Sequence, residues 1–215
     1  MKRTDNYAIQ AAQAKQCFLN YDADRLAAKF GLKTDESCLY TTLLSRPYRV
    51  SRTTGDIQKQ VDGVWVDGNT HAEVMTLLDL LCDSREDRCL SGRWKTMQSF
   101  GLMFHQNLLE EQPSPAAQRF HADPGLLRRG CLALGGEPVP GADISYRIEL
   151  FDGLPILLQF WFGDDEFIPR LRYLWDENAL QYIRYETMYF AVELLLGRIM
   201  EYFTIPPIRD KISKI

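Results

Sequence analysis

Leu154-Pro155-Ile156-Leu157-Leu158-Gln159-Phe160-Trp161-Phe162-Gly163-Asp164-Asp165-Glu166-Phe167-Ile168-Pro169 joins an apolar run to an acidic turn closed by a proline. Residues 154–162 are apolar apart from Gln159, the composition of a central strand covered on both faces. The run has strand length and falls well short of the roughly twenty apolar residues a membrane helix needs. No other segment comes closer, so no membrane span is expected. Upstream, Asp152-Gly153 is a strong hairpin signal. Before it, residues 144–151 alternate, with Ile144, Tyr146, Ile148 and Leu150 on one face and Ser145, Arg147 and Glu149 on the other. Residues 170–175 alternate again. Three antiparallel strands therefore follow one another, and the acidic turn joins the second to the third.

A second meander lies nearer the N-terminus. Residues 38–44 and 48–53 are β-branched and aromatic, with Arg46-Pro47 between them. Thr54-Gly55-Asp56 makes a turn, and Asp62-Gly63 leads into Val64-Trp65-Val66. Helical signals flank both meanders. Asp5-Asn6 caps a helix through Gln16 with Ala8, Ala11 and Ala12 on one face. Asp22 caps a second helix, which turns Leu26, Ala27 and Phe30 inward and ends at Gly31. Thr70 and Glu73 form a capping box, followed by a buried face of Val74, Leu77, Leu78 and Leu81. Residues 84–100 are polar and irregular. Residues 100–109 read as a helix broken by Pro113-Ser114-Pro115. Residues 115–134 read as a helical pair divided at Asp123-Pro124-Gly125 and stopped by Gly135-Gly136. In the last element Tyr185, Met188, Tyr189, Val192, Leu195, Leu196, Ile199 and Phe203 recur at helical steps, and Ile205-Pro206-Pro207 ends it. The expected fold is α+β: antiparallel β-sheet meanders covered by helices, with a long amphipathic C-terminal helix across one face. One domain over residues 1–205 and a tail over 206–215 are expected. Leu157, Phe160, Val192, Leu195 and Ile199 are expected to be buried.

Composition narrows the classes of function. The apolar fraction of 46% and the charged fraction of 25% are those of an ordinary globular chain. A net charge of −4 argues against nucleic acid, whose partners usually present a basic surface. The five cysteines are odd in number and widely spaced, and the opening Met1-Lys2-Arg3 leads into no apolar run. Both features suggest reduced thiols in a cytoplasm.

The acidic turn has two readings. Asp164, Asp165 and Glu166, at the end of a buried strand, are oxygen ligands suited to a hard cation such as magnesium, or to acid–base work if burial separates their pKa values. The plainer reading is a solvated turn that caps an apolar strand. Asp176 and Glu177 lie at the far end of the next strand, too distant to join them. The turn's letters also resemble the GGDEF motif of diguanylate cyclases. Asp164 replaces that motif's second glycine, and no upstream aspartate-rich strand supplies the other ligand. No cyclase activity is carried over. Leu134-Gly135-Gly136-Glu137 exposes backbone N–H groups like a phosphate cradle, yet it follows a helix and lacks a P-loop lysine, so a helix C-cap fits better. His71, His105 and His121 are scattered and no Cys-x-x-Cys occurs. No serine or cysteine sits in a nucleophile elbow. Trp65, Trp94, Trp161 and Trp175 would line a pocket for a flat ligand or simply belong to the core.

Several segments together resemble a prokaryotic family, the domain of unknown function 3786. They are Arg46-Pro47-Tyr48; Gly92-Arg93-Trp94 with Ser99-Phe100; Leu134-Gly135-Gly136 followed by Gly141-Ala142-Asp143; and the block from Leu154 to Pro169. The resemblance implies no settled activity and assigns no catalytic residue. Some relatives carry a fused iron–sulphur domain, which implies anaerobic cofactor metabolism, but no such cysteine-rich segment stands in this sequence. The candidate ligand-binding residues are Trp161, Asp164, Asp165, Glu166, Trp94 and Arg46, with Asp164, Asp165 and Glu166 also the candidate metal ligands. The leading expectation is a cytoplasmic accessory or small-molecule-binding protein with its pocket near the acidic turn, its cofactor unspecified. Two alternatives stand beside it: a metal-dependent hydrolase using the three carboxylates, and an interaction module that forms a homo-oligomer through a sheet edge or a helix face.

Overall fold

The computed structural model describes residues 6–101 and 114–201. Within them lie two five-stranded antiparallel sheets. The first is a plain meander of β1 (Lys33–Thr34), β2 (Cys38–Leu43), β3 (Arg46–Ser51), β4 (Ile57–Val61) and β5 (Val64–Val66), in that spatial order. The second holds β6 (Trp94–Thr96), β7 (Glu137–Pro138), β8 (Ile144–Phe151), β9 (Leu154–Trp161) and β10 (Arg170–Asp176), in the order β6-β10-β9-β8-β7. With the helices around them the class is α+β, as the sequence implies.

The apolar run after Asp152-Gly153 forms β9, the middle strand of the second sheet. Its residues are buried from Leu154 to Phe160, and Trp161 is half-buried. Pro155 is tolerated there because β9 pairs with β10 only from Ile156 onward, and the ladder to β8 is irregular between Glu149 and Phe151. Pro47 follows the same logic in β3. It pairs with Thr42 of β2, while pairing with β4 starts at Tyr48. The missing N–H of each proline therefore costs the sheet no ladder bond.

Three two-residue hairpins close the meanders, and each needs positive φ at both turn positions. Asp62-Gly63 (φ 50° and 80°) and Asp152-Gly153 (φ 48° and 76°) supply it in the expected way. The β2–β3 turn is Leu44-Ser45, with φ 46° and 59° and no glycine. Arg46-Pro47, which the sequence places between the strands, instead begins β3. Tertiary contacts hold the strained turn. The Leu44 N–H donates to the Leu150 carbonyl at 3.0 Å, and Ser45 Oγ donates to the Leu134 carbonyl at 2.9 Å.

The helices largely start and stop where their caps are written. In α2 (Ala23–Phe30), Asp22 accepts from the N–H groups of Asp24 and Arg25, and Gly31 closes the helix at φ 62°. In α3 (His71–Asp83) both halves of the Thr70–Glu73 capping box form. Asp123 ends α4 (Pro115–Ala122) and caps α5 (Pro124–Ala133). α6 (Tyr185–Glu201) packs on both α3 and α5. A methyl group added at Gly130 of α5 would lie 2.7 Å from Ile199 Cγ2, so the two helices meet at a close backbone approach. Contact on two sides widens the buried face of α6 beyond the expected stripe. It includes Thr187, Ala191, Leu194 and Arg198, while Val192 is only half-buried. Leu157, Phe160, Leu195 and Ile199 are buried as expected. α1 (Asn6–Phe18) turns Ala11, Ala14 and Phe18 to the core and leaves Ala8 and Ala12 exposed. The polar stretch 84–100 contains β6, which the sequence does not signal. Asp5, His105, Pro113, Phe203, most of the expected helix over 100–109 and the tail over 206–215 lie outside the described residues.

Where α3 meets the start of α6, Asp79 is 7% exposed. It accepts the Arg184 backbone N–H at 2.8 Å and lies 3.2 Å from Arg184 Nε. Burial, reinforced by the neighbouring Asp83 carboxyl, pushes the Asp79 carboxyl up to about 7. The folded protein thus keeps a proton that the unfolded chain gives up near the ordinary carboxylate value. Stability should fall as pH rises between those two values, by up to about 4 kcal/mol in all. Urea melts from pH 4.5 to 8 measure this directly, and Asp79→Asn should flatten the decline. An equally steep decline in Asp79→Asn would show that another group is responsible.

Candidate functional site

The acidic turn is held by its own backbone. Asp164 Oδ1 accepts from the N–H groups of Glu166 (2.9 Å) and Phe167 (2.8 Å), and the Asp164 N–H donates to the Phe167 carbonyl at 2.9 Å. Those two backbone donors hold the Asp164 carboxyl below the ordinary range. Gly163 is required by crowding, since a Cβ there would lie 2.7 Å from Pro169 Cδ. Asp165 and Glu166 point from an exposed turn. The turn lines a shallow hollow of about 480 Å³ with His121, whose Nδ1 accepts the Gly163 N–H at 3.3 Å. Among the described residues, no group of three or more His, Cys, Asp or Glu side chains is placed to hold a metal ion.

The other sequence candidates are spread across the molecule. Trp161, at the end of β9, leads into the turn and is stacked by the Arg172 guanidinium at 5.3 Å. Trp94 pairs with Asp176 at the opposite end of β10 from Arg170, the partner of Trp161. At about 3.4 Å per residue that separation is roughly 20 Å. Arg46 belongs to the other sheet and pairs with Glu201 of α6. Trp161, Asp164, Asp165 and Glu166 therefore form one neighbourhood, while Trp94 and Arg46 each lie elsewhere.

A larger recess lies between the sheets. β1 covers β2 only at Leu39 and Tyr40, and β7 covers β8 only at Tyr146 and Arg147. Two uncovered strand edges result: residues 41–43 of β2, and the end of β8. They are joined by the Leu44–Leu150 hydrogen bond, the one backbone bond between the sheets among the described residues. In the β2–β3 register, the Leu43–Arg46 and Thr41–Tyr48 pairs exchange hydrogen bonds. The Thr42 N–H and carbonyl consequently point away from β3, toward the side β1 does not reach. The cleft beside these edges has a volume of about 610 Å³. Phe30, Tyr40, Trp65 and Phe151 line it with apolar surface, and Lys33, Glu149 and Asp152 add charge. Ring pairs brace its walls, Tyr40 with Trp65 at 6.0 Å and Phe30 with Phe151 at 5.0 Å. Thr41 also lines the cleft. It is 6% exposed, and its hydroxyl has no hydrogen-bond partner among the described residues. Gly135 borders the same space. Its φ of 73° and the Gly136 N–H to Cys131 carbonyl bond of 2.8 Å make residues 134–136 a helix C-cap.

Behind the cleft sits a buried ionic cluster. Glu73 Oε1 accepts from Tyr48 Oη (2.7 Å) and from Arg198 Nη2 (3.2 Å), and Oε2 lies 2.9 Å from Lys59 Nζ. Arg198 Nη2 also donates to Tyr48 Oη. Burial, with the Glu73 charge beside it, raises the Tyr48 phenol far above its ordinary value, so it stays protonated. The sequence reading assigns Glu73 to the capping box alone and passes over Arg198. One signal was present: a lone cation between Leu195 and Ile199, on the face the periodicity marks as buried.

These elements define a two-sheet α+β protein with an aromatic cleft between strand edges and an ionic cluster behind it. The chain belongs to the family described as Domain of unknown function (DUF3786), whose model matches residues 22–198. The matched span takes in the cleft, the cluster through Arg198 and the acidic turn. No curated protein and no solved structure matches the chain. No helix among the described residues is long and apolar enough to cross a membrane.

Proposed function

We propose that the protein is a cytoplasmic binding module that holds a small, partly aromatic organic molecule in the cleft between its sheets. The observation that carries this reading is the Thr41 hydroxyl, buried in the wall of the aromatic-lined cleft without a partner among the described residues. A buried polar group without a partner is unfavourable, and a ligand that bonds it removes the penalty. The volume falls in the range of small-molecule sites, which combine apolar walls with a few fixed polar groups. The Thr42 backbone supplies one further donor and acceptor. Five cysteines without a disulfide support a reducing compartment.

A thermal-shift panel of nucleotides, tetrapyrroles and other flat cofactors tests the reading, because a ligand that binds only the folded state raises Tm. One class should raise it and change Trp65 emission. Thr41→Val gives the sharper check. It should leave the ligand-free protein as stable as before or more so, since it removes an unsatisfied hydroxyl, and weaken the ligand by about 1 kcal/mol, roughly fivefold. If no compound shifts Tm and Thr41→Val destabilises the free protein, the hydroxyl has a structural role and the cleft reading is lost. A rise in solution mass without any ligand response would favour self-association instead.

A further inference from the structure

A second, smaller cavity lies on the other side of the Leu44-Ser45 turn, with a volume of about 150 Å³. Arg46 and Arg198 line it, with Ser45, Gln60 and the apolar Leu44 and Leu134. Arg198 is 1% exposed, and the Glu73–Tyr48 cluster uses only its Nη2. Among the described residues its Nε and Nη1 have no hydrogen-bond partner, although Nη1 faces a Glu201 carboxylate oxygen at 3.7 Å. Arg46 grips that same carboxylate with both of its Nη atoms, one of them at 3.3 Å. Two guanidinium groups thus converge on one carboxylate at the edge of a cavity, and the deeper one keeps two donors unused. Among the described residues, Arg46, Arg198 and Lys59 face Glu73 and Glu201.

We infer that a small oxyanion binds at this cavity by taking the place of the Glu201 carboxylate, between Arg46 and the Nη1 of Arg198. Planar guanidinium groups match oxyanions in geometry, and hydrogen bonds between them are among the stronger ones a protein makes. Glu201 already presents a carboxylate to both arginines, so it acts as an internal competitor from the surface side. At about 30 Å³ per water, the space equals roughly five waters. That admits phosphate, sulfate or the head of a small carboxylic acid and excludes a nucleotide. The small cavity shares Leu44, Ser45, Pro47 and Leu134 with the wall of the aromatic cleft, but neither Arg46, Arg198 nor Glu201 lines that cleft.

The test titrates inorganic phosphate into the full chain at ionic strength matched with sodium chloride, read by Tm and by 31P line broadening. A saturable response is expected. Glu201→Gln removes the competitor and should tighten binding about threefold or more. Arg46→Gln, at the rim, should weaken it about tenfold while circular dichroism shows the fold retained. Parallel titrations with sulfate and acetate separate tetrahedral oxyanions from carboxylates. No saturable response to any of the three anions, in both the wild-type protein and Glu201→Gln, overturns the inference. So does a response that Arg46→Gln leaves unchanged, because the anion would then bind elsewhere.

Discussion

Glu73→Ala is expected to destabilise the protein by about 3–5 kcal/mol, the cost of breaking a buried ion pair from one side. Glu73 is 2% exposed, and its carboxylate is the shared acceptor for Tyr48, Lys59, Arg198 and the Thr70 N–H. Without it the Arg198 guanidinium remains buried beside Lys59 with no carboxylate between them. The helix also loses half of its capping box, worth about 1 kcal/mol on its own. Denaturant unfolding measures the total. A paired control separates the two causes. Glu73→Leu combined with Arg198→Met removes both main charges and fills the space, so it should recover most of the loss. If Glu73→Ala costs less than about 1 kcal/mol, the cluster is solvated and not the sealed unit described above. The cluster ties β3, β4, α3 and α6 together, so loosening it should also slacken both cavities beside the Leu44-Ser45 turn.

The second large effect is expected at Asp176, at the end of β10. Asp176 is 3% exposed. It accepts from the Ser91 N–H (2.9 Å), Ser91 Oγ (3.1 Å), the Gly92 N–H (2.8 Å) and the Asn178 N–H (2.8 Å). These bonds dock the 89–93 loop against β10 and so position the edge strand β6. Asp176→Ala would strand three backbone donors at a part-buried site, with an expected loss of about 2–4 kcal/mol. pH gives an independent reading. Burial alone would raise the carboxyl, but the donors outweigh it and hold it below the ordinary range. A carboxyl lowered in the folded state contributes its stability above the unfolded value, and loses it as pH falls through the lowered one. The wild-type protein should therefore lose more stability than Asp176→Asn on acidification below pH 4. Equal acid sensitivity in the two would remove Asp176 from the account.

The elements with local signals were legible in the sequence. Caps at Asp22, Thr70 and Asp123, the Asp-Gly hairpins and the apolar run of β9 are each decided by residues within a few positions of one another. What tertiary context decides was not legible. The Leu44-Ser45 turn has no glycine or asparagine to mark it, and its positive φ values are held by Leu150 and Leu134, far away in the chain. β6 is a strand because Asp176 fixes the loop before it. The candidate residues show the same division. Asp164, Asp165 and Glu166 are neighbours in the chain, and the turn chemistry accounts for Asp164. The Thr41 hydroxyl and the unused Arg198 donors stand out only because burial leaves polar atoms without partners, and pattern alone does not report that.

The uncovered edges of β2 and β8 carry one more consequence. An edge strand with unpaired amides is a template for aggregation, and folds commonly blunt it with charge, proline or a covering segment. Here each edge is turned toward the other across the cleft, with the exposed Lys33, Glu149 and Asp152 beside them. The recess is thus also a guard against runaway strand addition, latched by the Leu44–Leu150 bond. A molecule seated in it would protect solubility as well as the fold.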